Sequence, residues 1–124
     1  MIQFLPVQGP ILAVRIGGKV KGEALEPALD RLDALISEHD KVHIFVEVET
    51  ITDLEISSLG SYAARALRLL GKLDRFGRVG IVAGPNWVRW GAKIESALLP
   101  GISYRVFGRE EREEALEWVV GSGD

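Results

Sequence analysis

The stretch GEALEPALDRLDALISEHDKVHIFVEV, residues 22–48, decides the fold class, because the spacing of its apolar residues changes halfway along. From Leu25 to Ile36 the apolar residues recur three and four positions apart, which predicts a helix over about residues 22–39. From Val42 to Val48 valine or isoleucine occupies every second position, which predicts a strand. A helix followed directly by such a strand is typical of α/β domains.

The same patterns extend outward in both directions along the chain. Before the helix, two β-type runs at residues 2–7 and 11–16 are separated by Gln8-Gly9-Pro10, which predicts a hairpin that ends at Gly17 and Gly18. After it, we expect helices at about 57–71, 86–98 and 110–120, and strands at 79–83 and 103–107. The predicted fold class is α/β: one domain over residues 1–124, with a mixed five-stranded sheet, four helices and the order β-β-α-β-α-β-α-β-α.

Composition argues against several kinds of chemistry. The 124 residues carry a net charge of -3, include no cysteine and include only two histidines, His39 and His43. A disulfide framework, a cysteine-based zinc site and a thiol nucleophile are therefore excluded. The acid pair Glu47 and Glu49 alternates with valines along a strand, which is a sufficient structural explanation for it. We expect no catalytic residues, no metal and no cofactor.

The apolar segments and the net charge bear on the cellular compartment and on nucleic-acid binding. The first residues lack the basic and apolar regions of a secretion signal, and no apolar run is long enough to cross a membrane, so we expect a cytoplasmic protein. The chain is acidic and contains no recognisable nucleic-acid module, so we expect no nucleic-acid partner.

A basic stripe is predicted on the second helix. Arg65, Arg68 and Lys72 are spaced three and four apart, so they share one helix face. Such a stripe can attract an anionic surface of a partner, a phosphate or a lipid headgroup. The alternative is a solvated face whose charge is neutralised by acids of other helices.

Aromatic residues suggest a second kind of site. Trp87 and Trp90 fall three apart on the apolar face of the predicted third helix, where they serve either as core or as one wall of an apolar pocket. The pocket hypothesis places them between the second and third helices, together with Tyr62 and Leu98.

Two parts of the sequence carry a family resemblance. The segment FVEVETITDLEISSL, residues 45–59, resembles the segment ending in D-S-S-G-L of STAS domains, the anti-sigma-factor antagonists. In this alignment Ser57 stands at the serine that partner kinases phosphorylate and Glu55 at the loop aspartate, whereas Ile56 and Ser58 depart from the pattern. RVGIVAGPNWVRW (residues 78–90) and YRVFGREEREEALEW (residues 104–118) resemble the bacterial SpoIIAA-like proteins, which are grouped with STAS and SEC14 (CRAL-TRIO) domains.

The resemblance implies an α/β domain without catalytic residues that associates with a protein partner, such as an anti-sigma-factor-like regulator, or with an apolar ligand. The leading hypothesis is an interaction domain that is modulated at Ser57, with a homodimer left open. Ser57 as a simple helix cap is the alternative, and a SEC14-like lipid carrier is the rival function. The predicted binding loop comprises Asp53, Glu55, Ser57, Ser58 and Gly60.

Overall fold

The computed structural model describes residues 2–54, 62, 65, 68, 76–84 and 103–121, with residues 51–54 described by their backbone. The strands in these ranges are β1 (Ile2–Phe4), β2 (Ile11–Val20), β3 (Val42–Leu54), β4 (Phe76–Ala83) and β5 (Ser103–Gly108). The helices with described bounds are α1 (Glu26–Glu38) and α2 (Arg112–Val120). A short 3₁₀ helix leads into each of them, Gly22–Leu25 before α1 and Arg109–Glu111 before α2.

The strands form one mixed sheet in the order β1-β2-β3-β4-β5. β1 pairs antiparallel with β2, and β2, β3, β4 and β5 are mutually parallel. The antiparallel opening hairpin and the parallel remainder were both predicted from the sequence. Parallel strands leave their carboxyl ends at a common edge of the sheet, which is where α/β domains usually place a binding site.

The prediction of four helices is wrong: within the described residues, two α-helices, α1 and α2, have defined bounds beside the five-stranded sheet. The segments 57–71 and 86–98, expected as the second and third helices, lie outside the described residues except for Tyr62, Arg65 and Arg68, whose backbone is helical. Apolar periodicity identifies a potential helix only, since most helical stability in a protein comes from tertiary packing.

Several strand bounds differ from the prediction: β1 ends earlier, at Phe4, β4 begins earlier, at Phe76, and β2 and β3 extend by several residues at their carboxyl ends. β2 does not end at Gly17 but continues to Val20, because Gly18 adopts a positive φ of 64° and allows a bulge in the pairing with β3. β3 continues from the predicted end at Val48 to Leu54. Both extensions lie at the carboxyl edge of the sheet.

The helices cover opposite faces of the sheet. Pro27 lies at the start of α1, where its missing N–H has no helical partner to lose. The α1 face buries a cluster of apolar residues from the helix and the strands: Leu12, Val14, Leu29, Leu32, Leu35, Ile36, Val42 and Phe76. The α2 face buries a second cluster: Ile11, Ala13, Phe45, Val82, Phe107, Ala115 and Val119. Alternate residues of β2 thus serve the two cores, as the pleat of a strand requires.

Candidate functional site

The carboxyl edge of the sheet contains a cleft. β3 and β4 pair until Val48 lies opposite Ala83, whereas the pairing of β3 with β2 continues to Leu54 opposite Val20. The end of β3 therefore projects past β4. The space beside it, of about 310 Å³, is lined by Glu47, Val48, Glu49, Thr50 and Arg109, and is called the carboxyl-edge cleft below.

Glu47 is the central charged group of this edge. Its side chain is 15% exposed and binds two arginines. Arg15 of β2 donates from Nε and Nη2 to Oε2 of Glu47 at 3.3 and 3.2 Å. Arg112, the first residue of α2, donates from Nε to Oε1 at 3.0 Å. One carboxylate thereby connects β2, β3 and α2.

Glu49 is the second carboxylate of the cleft and is more accessible. Its side chain is 49% exposed, and its Oε1 lies 3.5 Å from Nε of Arg15. Glu47 and Glu49 project on the same side of β3, since alternate residues of a strand share a face. The pair was predicted as structural, and Glu47 does have a structural role in the ion-pair network.

Arg109 completes the cleft from the turn between β5 and α2. Its guanidinium lies against Gly84, where an added Cβ would be 2.9 Å from the Nε of Arg109. A glycine at the end of β4 thus makes room for the guanidinium. The turn itself is held by the backbone N–H of Gly108, which donates to Oε1 of Glu111 at 3.0 Å.

The binding loop predicted from the sequence begins at the same edge. Asp53 belongs to the backbone of β3, which ends one residue later at Leu54. Glu55, Ser57, Ser58 and Gly60 lie outside the described residues. Ser57 as a modification site therefore stays a prediction.

The basic stripe is described at two of its three positions. Nη2 of Arg65 lies 2.8 Å from Oδ1 of Asp30 and 3.8 Å from Oδ2 of Asp33, both on α1. Arg68 is exposed, and Lys72 lies outside the described residues. The charge of Arg65 is thus neutralised by acids of another helix, as the alternative of a solvated and neutralised face supposes.

The predicted apolar pocket is described at one position. Tyr62 is half-buried and packs against the core of the α1 face. Trp87, Trp90 and Leu98 lie outside the described residues. A different groove, of about 680 Å³, lies between the start of α1 and the segment that joins β1 to β2, with Phe4, Val7, Pro27 and Arg31 among its lining residues.

The two histidines have structural surroundings. His39 ends α1, and its backbone N–H donates to the carbonyl of Leu35. His43 of β3 is 5% exposed, and its Nδ1 accepts a hydrogen bond of 2.9 Å from the backbone N–H of Arg78. Burial lowers the pKa of His43 below its ordinary value of 6.5, and the charges of Arg78 and Lys41 lower it further.

Within the described ranges, no group of three or more histidine, aspartate and glutamate side chains could hold a metal ion. The same ranges contain no helix with the length and apolar character needed to span a membrane.

Sequence reasoning missed the three arginines of this edge, because Arg15, Arg109 and Arg112 belong to different elements. The one local signal is the position of Arg109 and Arg112 around the start of the last helix, where acidic residues are the usual choice. Nothing in the local sequence of Arg15 distinguishes it from any other strand residue with an outward side chain.

Comparisons with known proteins agree with this fold. A family model described as SpoIIAA-like matches residues 11–120, so the chain belongs to the SpoIIAA-like family and is a STAS-type domain. A crystal structure of an uncharacterized protein of the DUF3478 family from Shewanella loihica PV-4, which has a SpoIIAA-like fold, is similar with a TM-score of 0.65. The two chains share 20% sequence identity over 95% of this chain and 93% of the other, a similarity that bears on the fold alone. No curated protein matches this chain.

Proposed function

We propose that this SpoIIAA-like domain is a non-enzymatic interaction module that presents the end of β3, and the residues that follow it, to a protein partner. One observation carries the proposal: β3 continues from Val48 to Leu54 after its pairing with β4 has ended. Backbone groups on that side of β3 have no partner in β4, and a partner protein can bind such groups.

The charges of the same edge support a protein surface as the ligand. Glu49 and Thr50 are exposed beside the cleft, and Arg109 is exposed across from them. Charges of both signs at the rim of an interface contribute to specificity and to the rate of association. Glu47 is held by two arginines, so the edge is preorganised before a partner arrives.

We further propose that phosphorylation of Ser57 regulates this interaction. Ser57 follows the end of β3 by three positions in the sequence and aligns with the serine that is phosphorylated in STAS domains. A phosphate would add close to two negative charges three positions after the end of β3 in the sequence. Repulsion between these charges and an acidic partner would weaken the complex.

The test is affinity capture with the tagged protein from a lysate of its source organism, quantified by mass spectrometry. We expect Ser57→Glu to reduce the recovery of the specific partner roughly tenfold, which corresponds to about 1.4 kcal/mol. Ser57→Ala should retain the partner. Ser37→Glu, at an exposed serine of α1, adds the same charge at a distant position and is the matched control. Equal recovery by Ser57→Glu and the control would refute regulation at Ser57.

The second candidate function is a carrier of a lipid or a small apolar ligand. It is favoured by the groove of about 680 Å³ beside Phe4, a volume within the range of small-molecule sites. Native mass spectrometry of the purified protein separates the two functions. A carrier is expected to show the mass of a bound lipid, whereas an interaction module is expected to show the mass of the chain alone or of a homodimer.

A further inference from the structure

Four of the charged groups at the carboxyl-edge cleft and its border form one network of ion pairs. Arg15 and Arg112 are both within ion-pairing distance of Glu47, and Arg15 also reaches Glu49. Arg109 lines the same cleft and forms no ion pair with Glu47 or Glu49.

Arg109 is exposed at the cleft. Within the described residues, no carboxylate forms an ion pair with Arg109, although other arginines of the chain do have such partners. Arg109 lines the cleft, and its guanidinium also lies close to Gly84. Thr50 lines the same space, and a threonine hydroxyl can donate a hydrogen bond.

We propose that the carboxyl-edge cleft binds a small oxyanion, a phosphate or a carboxylate group, through Arg109. A guanidinium binds both groups with two parallel hydrogen bonds, which are among the strongest that proteins form. The volume of about 310 Å³ lies at the lower end of ligand pockets and suits a small molecule. This inference goes beyond the proposed protein interaction and does not depend on it.

The position of Glu49 narrows the chemistry of the ligand. Its half-exposed carboxylate borders the same cleft and accepts hydrogen bonds only. A ligand that carries a hydroxyl or an ammonium group beside its oxyanion satisfies Glu49 and Arg109 together. A ligand with negative charge throughout gains only the contact with Arg109, and repulsion from Glu49 should make it bind more weakly.

Amide NMR spectra of the ¹⁵N-labelled protein test the proposal directly. Inorganic phosphate and acetate are titrated separately at constant ionic strength, with chloride as the balancing anion, so that general screening does not change. We expect saturable shifts of the Thr50 and Arg109 amides with at least one of the two probes. Phosphoethanolamine, which adds an ammonium group, is expected to bind more tightly than inorganic phosphate. Shifts that do not saturate in the millimolar range with any probe would contradict the site.

Variants assign the binding to the guanidinium. We expect Arg109→Gln to weaken the binding roughly tenfold or more, since it removes the charge-assisted hydrogen bonds. Arg109→Lys keeps the charge without the paired geometry and should give an intermediate affinity. Arg105→Gln, at an exposed arginine of β5 that does not line the cleft, is the matched control and should bind as the unmodified chain does. Equal affinity of Arg109→Gln and Arg105→Gln would overturn the proposal.

Gly84→Ala tests the geometry without removing a charge. Its Cβ would lie 2.9 Å from Nε and 3.0 Å from Cζ of Arg109, so the guanidinium must move away. We expect weaker oxyanion binding together with an otherwise unchanged amide spectrum. Gly121→Ala, where an added Cβ meets no atom within 4 Å, is the control. An unchanged affinity in Gly84→Ala would show that the position of Arg109 against Gly84 is irrelevant to binding.

Discussion

The side chain of His43 supplies a hydrogen-bond acceptor where the pairing of β3 with β4 is irregular. Val42 pairs with Phe76 and Ile44 with Val79, so β4 has one more residue than β3 between these pairs. The backbone N–H of Arg78, in this irregular part of β4, donates to Nδ1 of His43. A Cβ at Gly77 would collide with the imidazole ring, so the ring requires a glycine there.

The hydrogen bond predicts a loss of stability in acid. Nδ1 can accept the hydrogen bond from the backbone N–H of Arg78 only in the neutral imidazole, and a charged ring would face the cations Arg78 and Lys41. The pKa of His43 is lowered in the folded chain, so below about pH 6.5 the unfolded chain binds the proton first. The free energy of unfolding, measured with urea, should therefore fall between about pH 7.5 and pH 5.5.

The control separates His43 from the other titrating groups. His43→Gln retains a side-chain acceptor that does not titrate, and it should reduce the change in unfolding free energy between the two pH values. If His43→Gln shows the same pH dependence as the unmodified chain, His43 is not responsible for it.

Among the elements, α2 is attached to the sheet at both ends. Its last turn is held by Arg78, which donates from Nη1 to the carbonyl of Trp118 at 2.8 Å and stacks over the Trp118 ring at 4.9 Å. Its first residue, Arg112, binds Glu47. In the same last turn, Val119 packs against Gly80, where an added Cβ would lie 2.5 Å from the Val119 side chain. The position of α2 thus depends on polar contacts as well as on the core.

Removing the charge of Glu47 should loosen the start of α2. Glu47→Gln weakens the hydrogen bonds to Arg15 and Arg112 and leaves two guanidinium groups without a counter-charge at a part-buried site. We expect a loss of about 1–3 kcal/mol in the free energy of unfolding. Glu49→Gln, at the more exposed carboxylate, should lose about 1 kcal/mol or less. Urea denaturation of both variants checks the difference, and equal losses would show that Glu47 contributes only a surface ion pair.

At the scale of the whole molecule, one sheet separates two apolar cores. β2, β3 and β4 contribute buried residues to both cores. Separating these strands to expose one core to water would therefore also disrupt the other core. Phe45 and Val42 lie on opposite faces of the same strand, and both are fully buried. We therefore expect the domain to unfold as one cooperative unit.

Matched substitutions in the two cores test this cooperativity. Ile36→Val on the α1 face and Ile11→Val on the α2 face each remove one buried methylene, at a cost of about 0.5–1.5 kcal/mol. Hydrogen exchange should show that either variant lowers the protection of α1 and α2 by the same free energy. Val120→Ala, at an exposed position, should change it by less than about 0.5 kcal/mol. Loss of protection confined to the substituted face would contradict a single unit.

The sequence by itself determined the α/β class and the antiparallel opening hairpin, because apolar spacing and turn residues act over a few positions. Its resemblance to known proteins gave the SpoIIAA-like family. The sequence did not determine the number of helices, since periodicity does not establish packing. Only the tertiary structure decided that β2 continues beyond Gly18 and that His43 accepts a hydrogen bond from the irregular part of β4 next to Gly77. It also decided that Arg15 and Arg112 pair with Glu47 at the edge of the sheet that Arg109 borders. These residues are far apart in the chain and become neighbours only when the order and register of the strands are set.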